Sequence, residues 1–560
     1  MKKYIHCIIA IFLFLGYNTQ AQFSKYIIRF KDKTGTPFTI GNPGQYLSPR
    51  SIARRTRQHV AIDESDLPIN PRYLDSVRLS PNVRVLNLSK WLNQVCIQTT
   101  DAAALARINA LPFVLASQPL MRPELSSVPS NKFNEPIGPP LLPQTAQNIL
   151  DYYNYGNAYP QEHIHEGEYL HNNGFHGEGM MISIMDAGFR NYQTITAFDS
   201  VRNNSQILET YDYVSNDPNV NDDDIHGMYC FSIIAANWPG QLVGSCPKAK
   251  FLLYRTEDAA TEFPIEEQNW VAAAERADSI GADVFSTSLG YTQFDNSIFN
   301  HTYADMNGHT TIIARGCASA IRKGIISVVA AGNDGTGSWH FISTPADTDS
   351  AITVGAVNSA GVVANFSSYG PSSSGVVKPT VASVGVGTTI AGSNNTPTSG
   401  NGTSFATPNL AGLVTCLWQA YQDFTNIEII DAIKRSSSIF TAPNDRIGYG
   451  IPNFHKAYDD LAQLRALRNI TAILGTDWMK VYPNPFKRTF TVLINPKISA
   501  NASFKLYDAA GKLYVTKSVV LQQGQPQIIK FNNLQPLARG VYTLRFDDGS
   551  NKRTIKLLSQ

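Results

Sequence analysis

The sequence predicts an α/β protein built on a doubly wound, mostly parallel sheet, with a small α+β unit before it and a small all-β, sandwich-like module after it. Three observations predict this. Between about residues 178 and 460, short β-branched, near-continuous apolar runs alternate with helical stretches, the pattern of strands covered on both faces. Residues 24–120 combine alternating segments with a short Ala-rich stretch, a mixed α and β signal. After Arg465 the chain changes to alternating segments broken by Gly-containing turns, which reads as strands and hairpins. A chain of 560 residues has room for several such units.

Taken in order, Lys2 and Lys3 precede an apolar run from Ile5 to Leu15, and Ala21 closes Thr19-Gln20-Ala21. Positive, apolar, then small residues make a secretory signal peptide over 1–21, and the run is too short to span a bilayer. In the unit at 22–120, Tyr26–Phe30, Gln94–Gln98 and Phe113–Ala116 are expected strands, and Asp101 is expected to cap a helix. Residues 121–147 are rich in Pro, Ser and Asn and read as a linker. The large unit, 148–463, carries expected strands at Met181–Met185, Lys250–Tyr254, Ala282–Phe285, Ile325–Ala330 and Ala351–Val354. Helices are expected at Asn269–Ile280 and Thr310–Lys323. Residues 464–477 read as a second linker, and 478–560 as the β module, with turns at Ala510-Gly511 and Arg539-Gly540.

Composition narrows the function classes. A hydrophobic share of 43% supplies ample core, and a formal net charge of +2 without clustered Lys and Arg excludes a nucleic-acid partner. Beyond the signal and Cys96, the chain keeps Cys230, Cys246, Cys317 and Cys416. An even number permits disulfides in an exported protein, with pairing open, and the lack of C-x-x-C spacing argues against structural zinc.

Three segments end a strand or open a helix, where open α/β sheets carry their chemistry. They are Ile182-Ser-Ile-Met-Asp186-Ala-Gly188, His226-Gly-Met-Tyr-Cys-Phe-Ser, and Gly402-Thr-Ser404-Phe-Ala-Thr-Pro408. Singly, each reads as well as a cap, a core histidine or a turn. In the order Asp, His, Ser they match a nucleophile with its base and orienting carboxylate. A serine hydroxyl needs a base during attack, and an unperturbed histidine is largely neutral at pH 7.

These boxes, with Ala330-Ala-Gly-Asn333, resemble the subtilase (S8) family of serine endopeptidases over about residues 178–460. The resemblance implies a subtilisin-like sheet, with Asp186, His226 and Ser404 as the triad and Asn333 as oxyanion donor. It also implies an S1 pocket lined by Ser288, Leu289, Gly290, Ala330, Ala331 and Gly332, small residues that suggest an uncharged pocket for apolar or aromatic side chains. The unit at 22–120 resembles a subtilase propeptide, hence an intramolecular inhibitor and folding template, with cleavage expected within 117–147. The tail, with Val481-Tyr-Pro-Asn-Pro485 and Gly540-Val-Tyr-Thr-Leu544, resembles the C-terminal sorting domain of the Bacteroidetes Por (type IX) secretion system. That implies passage across the outer membrane, to the surface or the medium. Protein or peptide substrates and the secretion machinery are the implied partners.

No cofactor is expected for the chemistry. The family often binds structural calcium, with ligands unassigned here; Asp222-Asp223-Asp224 reads as an acidic surface loop rather than a calcium loop. His163 and His165 read as exposed loop residues, and Cys230 as a buried helix thiol. Ala187, Met228, Tyr229 and Phe405 depart from the family's usual residues beside the triad. A catalytically silent surface adhesion protein on the same fold is the alternative expectation.

Overall fold

The computed structural model describes residues 23–122, 132–142, 150–532, 534–535 and 537–560. The expected signal peptide and parts of the expected 121–147 linker lie outside them. The chain divides into two compact units at Ala457/Tyr458.

The first unit begins with a four-stranded antiparallel sheet of β1 (Lys25–Phe30), β2 (Arg84–Ser89), β3 (Gln94–Gln98) and β4 (Val114–Met121), in the order β2-β3-β1-β4. Tyr26, Ile28, Phe30, Val95 and Ile97 alternate inward and form its core with Ile108 of the helix Ala102–Asn109. Asp101 caps that helix, accepting from the N–H groups of Ala103 and Ala104. Helix α1 (Pro49–Arg57) starts on a Ser48 cap with proline at its first turn.

The central sheet contains β5 (Met181–Asp186), β6 (Ile207–Asp212), β7 (Lys250–Arg255), β8 (Val284–Thr287), β9 (Ile326–Ala330), β10 (Ile352–Val357) and β11 (Val381–Val384). Its order is β11-β10-β9-β8-β5-β7-β6, parallel throughout. Every residue of β5, β8, β9, β10 and β11 is buried, which is why these strands read as continuous apolar runs rather than alternating ones. Met181, Met185, Leu252, Tyr254, Phe285 and Val329 face helices α2 (Ile265–Ile280) and α3 (Ile312–Arg322) in one core cluster. Helices α4 (His226–Ala235) and α5 (Thr403–Ala420) pack against each other; α4 lies against β5, and α5 against β8 to β11.

The N-terminal sheet docks on α2 through polar pairs as well as apolar contact. Asn87 donates to Asn269 at 2.7 Å, Gln94 to Gln268 at 2.6 Å, and Glu275 accepts from Ser89 and from the Lys90 and Trp91 N–H groups. Arg54 and Arg55 of α1, both fully buried, pair with Asp278 of α2; Arg55 also pairs with Asp66, and Arg54 donates to the Ala282 carbonyl. Buried charges persist only when paired in this way.

Within the expected second linker, residues 464–474 are helical, in helix α6 (Phe454–Leu474). Within the expected first linker, residues 136–141 lie along a hairpin of the first unit, as described below. The second unit holds two antiparallel sheets. One contains Met479–Tyr482, Phe490–Ile494 and Gln527–Phe531; the other Ala500–Asp508, Leu513–Leu521, Gly540–Asp547 and Lys552–Ser559. Gly511, at φ +84°, makes the turn between the second sheet's first two strands, and Gly540 opens a strand rather than a turn.

The cysteines at 96, 230, 246, 317 and 416 are all free and buried, with the Cys246 and Cys416 sulfurs 3.5 Å apart. Among the described residues no helix is long and apolar enough to cross a membrane.

Candidate active site

The three expected catalytic side chains converge at the carboxyl edge of the central sheet. Asp186 ends β5, fully buried, and its Oδ1 accepts from the Ala187 N–H and from His226 Nδ1, both at 2.7 Å. Ala187 removes a side-chain hydroxyl, but its backbone N–H supplies a donor to the carboxylate. His226 opens α4, where Asp224 accepts its backbone N–H at 2.8 Å and so fixes the first turn. Gly227 is required here: a Cβ would lie 2.5 Å from the Gly188 carbonyl oxygen and 2.8 Å from the Asp186 Cβ.

Ser404 stands in the first turn of α5, where unpaired helix N–H groups point outward. Its carbonyl is held by the Ser288 hydroxyl at 2.7 Å and the Cys230 thiol at 3.4 Å. Asn333 follows β9, and its Oδ1 accepts from both the N–H and the hydroxyl of Thr403 at 2.9 Å. Thr403 therefore turns the Asn333 amide N–H toward the nucleophile. Sequence reasoning missed this residue, although its place between Gly402 and Ser404 was visible.

A cavity of about 380 Å³ joins these groups, lined by Ser288, Leu289, Gly290, Ala330, Gly332, Asn333 and Ser404. Ala331 differs from expectation: it is turned into the core cluster behind. The cavity is not uncharged, since Glu257 and Glu262 line it as well. A larger cavity of about 490 Å³ lies in the N-terminal unit among Lys31, Lys33, Glu64 and Asn93, remote from the triad residues.

The cleft is covered by the chain itself. Residues 136–141 extend the hairpin Thr388–Ala391/Pro397–Gly400: Gly138 N–H donates to Ser399 O at 2.7 Å, Leu141 N–H to Pro397 O at 2.8 Å, and Asn401 N–H to Pro136 O at 3.1 Å. Upstream, the Phe133 ring stacks on the His226 imidazole with centroids 4.4 Å apart. Glu135 Oε1 accepts from Ser404 Oγ at 2.9 Å and Asn333 Nδ2 at 3.4 Å, and stands 3.5 Å from His226 Nε2. The Ser404 hydroxyl thus donates to Glu135.

The electrostatics follow. Burial disfavours the His226 imidazolium, but Asp186, with Cys230 and Glu135 behind it, outweighs burial and holds the ring well above the ordinary histidine range. The expected neutral base at pH 7 does not hold for this covered conformation, because two carboxylates flank the ring. Burial likewise works against the Glu135 carboxylate, yet His226 overrides it and keeps it below the usual range.

Other expectations resolve individually. His165 is not exposed: it is fully buried, with Nδ1 2.8 Å from Pro452 O and Nε2 2.8 Å from Ser383 Oγ. His163 is exposed and pairs with Glu168. The carboxylates of the Asp222–Asp224 run turn to separate partners, Asn219, Arg255 and the His226 N–H. Among the described residues, the one group of donor atoms close enough for a metal is Asp186, His226 and Cys230. Burial pushes the Cys230 thiol up to about 11, so it stays protonated and ligates poorly.

Residues 177–450 match the model of the subtilase family, 25–133 that of the Bacteroidota peptidase S8 propeptide domain, and 480–560 that of the secretion system C-terminal sorting domain. A thermophilic serine proteinase of Bacillus sp. (strain AK1) is 31% identical over 257 residues, 45% of this chain and 56% of that protein. The chain thus spans little more than half of that relative. Subtilisin NAT of Bacillus subtilis subsp. natto is 27% identical over 51% of this chain and 68% of its own length. Subtilisin Savinase of Lederbergia lenta is also 27% identical, over 51% of this chain and 93% of its own.

Proposed function

We propose that the chain, whose residues 177–450 match the subtilase family, is a secreted serine endopeptidase, here in its self-covered precursor form. The observation that carries this is the 2.7 Å bond between Asp186 and His226 Nδ1, with His226 Nε2, Ser404 Oγ and Asn333 Nδ2 all gathered on Glu135 Oε1. Once residues 132–142 leave, Ser404 Oγ attacks the scissile carbonyl carbon while His226 Nε2 takes the hydroxyl proton. Asp186 holds Nδ1–H and stabilises the imidazolium. The oxyanion receives hydrogen bonds from Asn333 Nδ2 and the Ser404 backbone N–H. His226 then protonates the leaving amine, the C–N bond breaks, and an acyl-enzyme forms on Ser404. Water, deprotonated by His226, attacks the ester and releases the acid. The match over 25–133 supports inhibition by the chain's own upstream segment, and the match over 480–560 supports export through the Por machinery to the surface or medium.

Self-processing tests the reading. The purified wild-type precursor is expected to lose its upstream segment on incubation, with the new N-terminus found by mass spectrometry. Ser404→Ala is expected to retain the segment, and equal processing in that variant would remove the reading.

The cover also predicts a pH effect. A carboxylate beside His226 favours the protonated base, so it raises the pH at which the base becomes available. Glu135→Gln removes that charge, and the midpoint of the pH–rate profile for self-processing is expected to move down. The processed protein, which has lost this carboxylate, is expected to show the same lower midpoint in both forms. An unchanged or raised midpoint for the variant precursor would contradict the assignment.

A further inference from the structure

The acidic end of the cleft offers a second recognition element. Glu257 follows β7, Glu262 lies in the loop before α2, and Glu266 sits in the first turn of α2. Their carboxylates converge on one ammonium, Lys132 Nζ, at 3.0, 2.8 and 2.9 Å. Two are held by other bonds that leave one oxygen free for the cation. Glu257 Oε1 accepts from the Tyr291 hydroxyl and from Thr256 Oγ1, and Glu266 Oε1 accepts from the Asp258 N–H.

The occupant arrives as a substrate would. Lys132 is directly followed by Phe133 on the His226 ring and then by Glu135 at Ser404. The cavity that holds Ser404 is lined by Lys132, Glu257 and Glu262 as well, so the acidic end and the nucleophile share one continuous space. Lys132 also falls within the segment matched as propeptide, residues 25–133. With Lys132 in place the three side chains are 1%, 20% and 2% exposed, and its departure removes their cation.

Resting on the peptidase reading above, we propose that Glu257, Glu262 and Glu266 form a substrate subsite for a lysine or arginine side chain a few residues upstream of the scissile bond. Three convergent acceptors suit an ammonium, and equally a guanidinium with its five donors. Desolvated carboxylates without a cation are costly, so a basic substrate residue restores what Lys132 supplied. Burial agrees with this need, pushing Glu262 up to about 7 even with Lys132 in place.

The test uses the self-processed protein and a peptide series in which one lysine is moved along the positions upstream of the cleaved bond, against the same peptides with norleucine. At one position lysine is expected to raise kcat/KM roughly ten- to hundredfold, as a charge-assisted contact to a buried partner does. Glu262→Gln and Glu266→Gln are each expected to reduce that preference, read as the ratio of kcat/KM for the lysine peptide to that for its norleucine counterpart. Cleavage with no positional preference in the wild-type protein would overturn the subsite and leave the peptidase reading intact. So would a preference unchanged in both variants. Failure to cleave any peptide would overturn both.

Discussion

His226→Ala, processed in trans by the wild-type protein, is expected to show a kcat lower by roughly four to six orders of magnitude, the scale on which a triad acts as one unit. The effect is chemical rather than structural. In the precursor His226 packs between Phe133 and Phe405, and the loss is to be read in processed protein whose circular dichroism matches that of the wild type. Cys230→Ser, one turn along α4 and 4.0 Å from His226 Nδ1, is the control. It should cost far less than His226→Ala, since the Cys230 sulfur donates to the Ser404 carbonyl, a contact that a serine hydroxyl can keep. A loss below about a hundredfold in His226→Ala would remove His226 from the role of base.

The largest expected stability effect lies between the upstream unit and α2. Asp278→Ala removes a carboxylate from two buried guanidiniums; among the described residues Arg54 then keeps no ion-paired carboxylate and Arg55 keeps Asp66. Breaking one side of a buried pair costs about 3–5 kcal/mol. In a precursor kept whole by Ser404→Ala, urea unfolding is expected to show a loss of that size. In the processed protein Asp278 has lost its arginines with the upstream unit, so the same substitution should cost about 1 kcal/mol or less. Equal losses in both forms would place the cost inside the sheet domain instead.

The contrast between legible and illegible features has a physical basis. The strands at 181–186, 284–287, 326–330 and 352–357 were readable because burial on both faces demands unbroken apolar runs. Strand β6, Ile207–Asp212, sits at the sheet edge and is mostly half-exposed, so its Ile-Leu-Glu-Thr-Tyr-Asp carries no such run. Helix α1 shows no apolar face in its sequence, because Arg54 and Arg55 take buried positions that Asp278, more than two hundred positions away, makes tolerable. His165 misled for the same reason, since both ring nitrogens find partners that are distant in sequence.

At the site, Asp186, His226, Asn333 and Ser404 were legible because each sits in a short local motif at a strand end or helix start. Thr403 and Asp224 act through backbone geometry, which a motif does not display. Glu135 was hidden in a proline-rich stretch that resembles a connector, and its position at Ser404 exists only once residues 136–141 have joined the hairpin. The acidic subsite was likewise invisible, because Glu257, Glu262 and Glu266 acquire meaning only from the lysine that the fold brings to them.

A fluorophosphonate applied to the precursor and to the processed protein, with the modified residue located by mass spectrometry, tests most directly whether Ser404 is the nucleophile and Glu135 its cover. Labelling is expected at Ser404 alone, rapid in the processed protein, slow in the precursor, faster in the Glu135→Gln precursor, and absent in Ser404→Ala. Labelling at another residue, or an unlabelled Ser404 in correctly processed protein, would contradict it.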